Sequence, residues 1–538
     1  MRVATVDAVS GHTVESTLSL EARRTPIKGA FVKMNCDADT LLGRVISVDL
    51  TNVVHDNPTF APFIMQHGSV PMWSGDVDIE KAKIELIRAV DGNGSFIALR
   101  RNPPSGTAVE AVGPNDIATF YNEKEHLITL GEIPNSEGVP ASTVNRHFGA
   151  FDTGGYGEAR HTAIFGRNGS GKTVLATMLI AARLAAHPEM GLLMPDTAGD
   201  LSNPASHSRG DFQWNYISLL EASAVTVEHL NITNIRLTSA HTLRMKLAPT
   251  LKIHLSTTDD KADEIARKVV AEIIDDDNHV TLTQFTSDRV AAAIVKVIDT
   301  CFAPSSKAQR QTDAKDLESS PKRRQLFDRD IARIAALFDG REEIGHLIHA
   351  VLQRGRKVII DVTTDISLTD QEFVMREIMS QLGWQSQRAF KQKGNSSCNA
   401  LVVLDEGQRW VPQDSVDDGG IGRTIRQQLR ETRKYGLGWM IVSQSPSGIH
   451  NDVLRQSHTT YFGRGLGIGA DENHLRQNLG NHGFEAYKQL ELQGGFFWIG
   501  VGLDNNIGTD SSYFSFHPFG GDATTSFKAA NPAIFGLK

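Results

Sequence analysis

The residues with the clearest chemical potential form a glycine-rich segment that follows an apolar run and opens a helical one. Residues 166–173 read Gly-Arg-Asn-Gly-Ser-Gly-Lys-Thr and match GxxxxGK[ST] in full. In such a loop, glycines let backbone N–H groups curl around phosphate oxygens, and the helix N-terminus adds positive potential. We expect Lys172 to reach the β- and γ-phosphates of a nucleotide and the Thr173 hydroxyl to bind Mg²⁺. The predicted phosphate site comprises Gly166, Asn168, Gly169, Ser170, Gly171, Lys172, Thr173 and Val174.

Two adjacent carboxylates supply the second half of this site. Asp405 and Glu406 follow the apolar run 400–404, which places them at the carboxyl edge of a sheet, facing the phosphate loop. We expect Asp405 to bind Mg²⁺ through water and Glu406 to polarise the attacking water as general base. The next strand-like run ends at Gln444, which either contacts the γ-phosphate and reports its loss or caps a turn. Together these residues predict binding and hydrolysis of ATP or GTP.

Several arginines could complete such a site, because an arginine that neutralises transition-state charge accelerates phosphoryl transfer. Residues 422–435 are predicted to be helical, and Arg426, Arg430 and Arg433 would share one face of the helix. In a ring of subunits, Arg433 is the first candidate to reach the neighbour's nucleotide, and Arg430 is the second. The alternative is that these arginines form a solvated basic face. Arg160 precedes the strand before the phosphate loop and could contact the phosphates of its own subunit, or form a surface salt bridge.

The elements that must position these residues fall into regions of different character. Residues 1–145 contain short strand-like runs separated by turn signals, which predict a small β-barrel. One stretch, 78–90, is predicted to be helical, and 135–140 is predicted to be a linker. From about residue 147, apolar strands alternate with helices, which is typical of an α/β class with a doubly wound, RecA-like parallel sheet.

The distance along the chain between the two halves of the site indicates an insertion. Thr173 and Asp405 are 232 residues apart, which is long for a bare core of this type. We therefore divide the core into 146–251 and 354–510, separated by a helical insertion at 252–353 in which 304–324 is an exposed loop.

The C-terminal tail, 511–538, is rich in glycine, serine and phenylalanine and shows no clear periodicity. Two readings of this tail remain open. It either docks its aromatic side chains on a neighbouring surface or packs on its own subunit. The side chains concerned are Phe514, Phe516, Phe519, Phe527 and Phe535.

Composition excludes few classes of function. The net charge of −8 argues against a wide basic face for nucleic acid, but a ring could confine positive charge to its channel. No stretch approaches the ~20 apolar residues of a membrane helix, and the N-terminus lacks the apolar core of a signal peptide, so we expect a cytoplasmic protein. The three cysteines form no CxxC pair, which disfavours a zinc or redox motif.

Five motifs along the chain resemble those of the HerA-type ATPases, hexameric relatives of FtsK. They lie at 160–161, 195–200, 405–409, 433–438 and 443–446. The Arg-Lys-Tyr-Gly stretch, followed by a strand and Gln-x-Pro, is the most discriminating of them. The resemblance covers most of the chain.

This resemblance implies a homo-hexameric ring that hydrolyses ATP between subunits and translocates double-stranded DNA. It implies that the N-terminal region is a HAS-type barrel that docks a partner, commonly a nuclease of the NurA type. It also makes Arg433 the arginine finger supplied in trans and Arg160 a contact in cis.

The sequence departs from the usual pattern at two motifs. Gly407-Gln408 follow Glu406, where the family has other residues, and Asp200 stands where glutamate is common. These departures resemble a divergent branch, the HerA-like ATPases of anti-phage systems, which pair with sirtuin-like or other effector nucleases. The alternative function is an ATP-gated scaffold that organises an effector enzyme without moving along DNA, which the acidic net charge slightly favours.

Overall fold

The structure, a computed structural model, shows a barrel, a large α/β sheet and a helical insertion. Asp200 of the second motif and residues 511–512 and 537–538 of the tail lie outside the described residues. The structure describes 1–52, 65–66, 78–99, 101–121, 124–199, 201, 208–274, 280, 285–363, 366–414, 420–502 and 513–536.

The first part of the chain forms a closed antiparallel barrel. Its strands follow the order β2-β1-β7-β3-β4-β5, and a pairing of β2 with β5 closes the ring, with β6 added beside β5. The strands are β1 (Arg2–Ser10), β2 (Thr13–Leu18), β3 (Phe31–Cys36), β4 (Asp39–Asn52), β5 (Asp78–Val90), β6 (Phe96–Ile97) and β7 (Ala108–Ala111).

The prediction of a helix at 78–90 is wrong, because this segment is β5. Ala82, Ile84 and Leu86 are buried and alternate with charged residues, which is the two-residue period of a strand. Pairing with β4 and β2 on its two sides fixes the extended conformation despite good helix formers in the sequence.

An eleven-stranded sheet carries the rest of the chain, in the order β12-β15-β11-β16-β17-β10-β18-β19-β20-β8-β9. The strands from β12 to β18 in that order are parallel and those from β19 onward are antiparallel, which confirms the α/β class. The strands are β8 (Leu127–Glu132), β9 (Pro140–Val144), β10 (Thr162–Phe165), β11 (Gly191–Asp196), β12 (Glu228–Asn231), β15 (Lys357–Asp361), β16 (Ala400–Leu404), β17 (Leu437–Ser443), β18 (Thr459–Gly463), β19 (Trp498–Gly502) and β20 (Tyr513–Pro518).

Two strands expected in the barrel region belong to this sheet instead. β8 and β9 pair with each other, and β8 pairs with β20 at the sheet's antiparallel end. The segment 135–140, expected to be a linker between domains, joins these two strands. The division near residue 145 therefore cuts between elements of one sheet.

The described helices pack on both faces of the sheet and in the insertion. They are α1 (Pro114–Ile117), α2 (Lys172–Ala186), α3 (Tyr216–Ala222), α4 (Ala240–His254), α5 (Asp259–Ile273), α6 (Ser287–Val297), α7 (Pro304–Ser319), α8 (Pro321–Ala336), α9 (Ile344–Arg354), α10 (Leu368–Lys393), α11 (Gly407–Trp410), α12 (Ile421–Glu431), α13 (Asn451–Gln456), α14 (Ala470–Gln493), α15 (Ala523–Ala530) and α16 (Pro532–Phe535). None of them is long and apolar enough to cross a membrane.

The helical insertion, α4 to α8, lies between two short paired strands, β13 (Ile235–Arg236) and β14 (Glu342–Glu343). The expected loop at 304–324 is wrong, because this segment forms α7 and the start of α8. Its polar residues cover the outside of the helices, while Ala314 and Leu317 face the core and are fully buried. Each helix begins with a proline, a residue suited to the first helical turn.

The C-terminal segment packs on its own chain, which decides between the two readings of the tail. Phe514 and Phe516 lie in β20, and Phe527 and Phe535 lie in α15 and α16; all four are buried. Phe519 contacts the ring of Phe527, with 6.2 Å between ring centroids.

A buried arginine joins the barrel to this C-terminal segment. Arg44 of β4 is 1% exposed, and its guanidinium lies 3.2 Å from the centroid of the Tyr513 ring. The same guanidinium donates to the Tyr513 carbonyl and to Glu85 of the barrel, at 2.7 Å for the carboxylate. Because β20 starts at Tyr513, the barrel is tied directly to the large sheet.

Candidate nucleotide site

The phosphate loop connects β10 to α2, in the strand–loop–helix setting that the motif requires. Gly169 and Gly171 adopt φ angles of +79° and +86°, which disfavour any residue with a side chain. A Cβ atom on Gly166 would lie 2.4 Å from the Ser170 hydroxyl, so any larger residue here would displace the Ser170 side chain. The spacing of glycines in the sequence thus reflects the path of the backbone.

Two polar groups of this loop are buried in a way that suits an anionic ligand. Lys172 is 8% exposed, and its Nζ donates to the Arg167 carbonyl at 3.4 Å. Burial lowers the pKa of Lys172, while Glu406 and Asp405 act in the opposite direction. The Ser170 hydroxyl is buried, and among the described residues it has no hydrogen-bond partner. Phosphate oxygens would satisfy both groups.

Three carboxylates meet at the carboxyl ends of neighbouring strands. Asp196 ends β11, and Asp405 and Glu406 follow β16, which pairs with β11. Asp196 is fully buried and accepts a hydrogen bond from the Gly199 N–H at 2.8 Å. Burial raises the pKa of Asp405 to about 6; Glu406 and Asp196 add to this rise, and the Glu406 N–H and Lys172 oppose it. These carboxylates and Lys172 are therefore close enough to influence one another's charge.

A chain of hydrogen bonds fixes the Glu406 carboxylate. The Gln444 amide donates to both of its oxygens at 3.2 Å, and the Gln408 amide donates to one of them. The Ser443 hydroxyl in turn donates to the Gln408 side-chain oxygen. Glu406 itself has a left-handed backbone, with φ +49° and ψ +52°, a conformation that is costly outside glycine and is often found at functional sites.

Gln444 follows β17, which lies between β10 and β16 in the sheet. The structure therefore brings Gln444, the phosphate loop and the acidic pair to one sheet edge. The roles of Asp196, Gln408 and Ser443 in this arrangement were missed from the sequence. They stand within the motifs at 195–200, 405–409 and 443–446, and position in a motif was the available signal.

The structure does not bring the predicted arginines to this edge. Arg160 precedes β10 and Arg433 precedes β17, so both lie at the amino edge of parallel strands whose carboxyl ends hold the nucleotide site. A cis contact of Arg160 with the phosphates is wrong for this structure, since roughly 20 Å of extended chain separates it from Gly166. Its guanidinium instead lies 3.9 Å from the centroid of the Tyr156 ring.

The two candidate trans arginines are both partly exposed. The Arg433 side chain is 48% exposed and lies 3.2 Å from the Glu158 carboxylate. The Arg430 side chain is 56% exposed and forms an ion pair with Asp452. Neither arginine contacts a residue of its own phosphate loop in the described hydrogen bonds and ion pairs.

His161 beside Arg160 has a structural role. Its Nε2 donates to the Leu429 carbonyl at 2.9 Å, and its Nδ1 accepts the Trp439 N–H at 3.2 Å. Complete burial lowers the pKa of His161 to about 3, and His458 and Arg433 act in the same direction. A neutral imidazole thus joins the start of β10 to α12 and β17.

Parts of this chain are similar to known proteins. Residues 159–382 match the family model described as "Helicase HerA, central domain". A segment of 59 residues is 37% identical to the DNA double-strand break repair helicase HerA of Pyrococcus furiosus. That segment is 11% of this chain and 10% of the relative, so the match spans about a tenth of the curated protein.

Similar solved structures include VirB4 of Thermoanaerobacter pseudethanolicus, at 14% identity and a TM-score of 0.38, covering 74% of this chain and 97% of that one. The plasmid coupling protein TrwB is 12% identical with a TM-score of 0.38, and the match covers 76% of this chain and 93% of TrwB. The genome packaging NTPase of Sulfolobus turreted icosahedral virus 2 is 9% identical with a TM-score of 0.30, and the match covers 67% of this chain and 98% of the viral protein. The family match over 159–382 and the geometry of the phosphate loop together support a HerA-type P-loop ATPase.

Proposed function

We propose that this chain is the subunit of a homo-hexameric ring that hydrolyses ATP with Mg²⁺, translocates double-stranded DNA and works with a nuclease-type effector. The observation that carries the proposal is the convergence of Lys172, Asp405, Glu406 and Gln444 on the sheet edge that holds the phosphate loop. Each of these groups has a part in phosphoryl transfer to water.

The acidic edge fits a divalent cation. Asp196, Asp405 and Glu406 lie close to Lys172, and the pKa of Asp405 is raised mainly by burial, with Glu406 and Asp196 adding to the rise. Carboxylate and hydroxyl oxygens are ligands that Mg²⁺ accepts, and Asp405 and Thr173 would hold the ion, directly or through water. When bound, Mg²⁺ neutralises charge on the β- and γ-phosphate oxygens.

Each of the remaining side chains has one role in the proposed hydrolysis. Lys172 binds the phosphates, and Glu406 accepts the proton of the attacking water as general base. Gln444 and Gln408 orient the Glu406 carboxylate, so that its free lone pairs point in a fixed direction. Gln444 is the proposed sensor of the γ-phosphate, because it contacts Glu406 and loss of a phosphate bound at this carboxylate would alter that contact.

The ring accounts for the arginines at the far edge. In a head-to-tail ring, one edge of each subunit faces the opposite edge of the next, so an arginine far from its own site can serve a neighbour's. Arg433 is the preferred trans finger and Arg430 the second candidate. In the isolated chain Glu158 pairs with Arg433, and a neighbouring nucleotide phosphate would compete for the same guanidinium.

The barrel is the proposed docking site for the effector, whether a NurA-like nuclease, a sirtuin-like protein or another effector, with anti-phage defence as the process. The alternative is an ATP-gated scaffold that controls its effector without moving DNA. The Arg44–Tyr513 contact favours a link of this kind, because it joins the barrel to the sheet that holds the nucleotide. Recovery of the chain from its host without any nuclease-type partner would oppose both versions.

The experiment that separates these functions is steady-state ATP hydrolysis by the purified chain, alone and with long double-stranded DNA. A DNA motor should be strongly stimulated by DNA, and Glu406→Gln should abolish the stimulated rate. Turnover that is indifferent to DNA would reject the motor. Nucleotide-dependent binding of the effector to the same preparation would then support the scaffold.

A further inference from the structure

An apolar cavity of about 280 Å³ adjoins the phosphate loop, on the side away from Asp405, Glu406 and Gln444, none of which lines it. Gly171 and Val174 form its border with the loop, and the buried side chains of Leu175, Met178 and Trp498 form its floor. The volume is large enough for a nucleobase, and the position lies beyond the loop where the rest of a nucleotide must extend. The cavity is therefore a candidate binding site for the nucleotide base.

Two phenylalanine rings stand at the mouth of this cavity. Phe212 and Phe496 have ring centroids 6.5 Å apart and planes inclined at 35°. This separation is close to twice the ~3.5 Å at which carbon atoms of stacked rings touch. Phe496 is 53% exposed although it is a large apolar side chain, and it lies 3.8 Å from the position that a Cβ of Gly171 would take. A planar ring could enter between the two side chains without moving the loop.

The C-terminal segment closes the remaining side. Phe519 and the backbone of Gly520 and Gly521 line the cavity. Gln213, which follows Phe212, holds this stretch in place. Its backbone N–H donates to the Gly521 carbonyl at 2.8 Å. Trp214 continues the attachment, since its ring contacts Phe527 of α15 with 5.6 Å between centroids. The segment after β20 is thus part of the cavity wall.

The lining offers little that could read the edge of a base. Among the described residues, the polar side-chain groups in it are the Ser170 hydroxyl, which belongs to the phosphate loop, and the Trp498 indole. Stacking holds any base by its π-face, whereas discrimination between adenine and guanine needs hydrogen bonds to the ring edge.

We propose that Phe212 and Phe496 stack on the two faces of the nucleotide base, that Phe519 of the C-terminal segment closes the pocket, and that the pocket accepts guanine as well as adenine. The proposal rests on the proposed function, because the phosphates must occupy the loop for the base to reach this cavity. It adds the base-binding residues and the nucleotide specificity of that site.

The test is calorimetric titration of the full chain with non-hydrolysable analogues of ATP and GTP and with tripolyphosphate, which has no base. We expect the two analogues to bind within about 10-fold of each other, as apolar pockets discriminate weakly. Phe496→Ala should weaken both by about 5- to 100-fold and leave tripolyphosphate binding unchanged, while Phe496→Tyr retains the affinity. Phe96→Ala, which removes a 40% exposed phenylalanine of the barrel, is the matched control.

Two outcomes would overturn the proposal. A preference of more than about 10³-fold for one purine would mean that the pocket reads the base edge by hydrogen bonds. Unchanged affinity of Phe496→Ala for both analogues would mean that the base binds elsewhere. Failure of the proposed function looks different, because Lys172→Ala would then bind ATP and tripolyphosphate as the unchanged chain does.

Discussion

Removal of the Arg433 guanidinium should stop ATP turnover. Turnover should return only at interfaces where the neighbouring subunit supplies an intact Arg433. β17 has seven residues between Arg433 and Gln444, and at ~3.3 Å per residue this strand holds the two side chains about 23 Å apart. Charges in solvent interact little beyond the Debye length of about 8 Å at physiological ionic strength. Arg433 is therefore too far away to contact its own site, and we expect the effect of Arg433→Ala on turnover to arise between subunits.

The expected loss in kcat is about 10³- to 10⁵-fold, the value of an arginine finger. Folding should be nearly unaffected, because the exposed pair with Glu158 contributes at most about 1 kcal/mol. The assay is ATP hydrolysis by a mixture of Arg433→Ala and Lys172→Ala chains, each inactive alone. In rings that mix at random, about one interface in four combines an intact loop with an intact arginine, so about a quarter of the activity should return.

Arg101→Ala is the matched control, since that side chain is 78% exposed on the barrel and pairs with Asp37. Full turnover by Arg433→Ala alone would refute the reasoning, and so would a mixture that stays inactive although mixed rings form. If Arg430→Ala shows the loss and the recovery instead, the finger is Arg430.

Three further perturbations follow from the same contacts. Gly166→Ala should weaken nucleotide binding while the chain stays folded, because its Cβ would lie 2.4 Å from the Ser170 hydroxyl and would displace that side chain. Titration with an ATP analogue and a melting curve check this, and normal affinity would contradict the loop geometry. His161 has a pKa of about 3 when folded and about 6.5 when unfolded, so the unfolded chain binds more protons between these values and stability must fall as the pH falls below 6.5. Urea unfolding at pH 7 and pH 5 should show a loss steeper by up to about 1.4 kcal/mol per pH unit than in His161→Gln, and equal slopes would contradict the buried neutral imidazole. Arg44→Met should loosen the barrel from the sheet, because it removes the contacts with Tyr513 and Glu85; faster proteolysis or hydrogen exchange of β20 would show this, and unchanged protection would count against the link.

The sequence predicted best where one short segment fixes its own geometry. The phosphate loop is an example, since each glycine answers a local demand of the backbone and the adjoining strand and helix are contiguous with it. The buried parallel strands were also predictable, because burial on both faces leaves only apolar residues in them. These features supplied the α/β class and the acidic pair.

Prediction failed where pairing over long distances decides the structure. The segment 78–90 contains good helix formers, but its partners β2 and β4 hold it as a strand. The segment 304–324 appears polar in sequence because few of its positions face the insertion core. β8 and β9 join the large sheet through β20, which lies almost 400 residues further along the chain.

The candidate site also combines features that the sequence predicts with features that depend on long-range pairing. Gln408 and Ser443 hold Glu406 through contacts that exist only when β16 and β17 are side by side. The position of Arg160, by contrast, was open to reasoning from the sequence. A residue before a strand lies at the edge opposite to the residue after it, so a loop that follows β10 cannot face an arginine that precedes it.

The most direct test of the central claim is single-turnover ATP hydrolysis with Mg²⁺ by Glu406→Gln, with ATP binding measured on the same sample. We expect binding close to that of the unchanged chain and hydrolysis slower by at least about 100-fold, because the general base is lost while the phosphate loop is intact. Hydrolysis at the original rate by a variant that binds ATP normally would contradict the assignment of Glu406 and, with it, the proposed site.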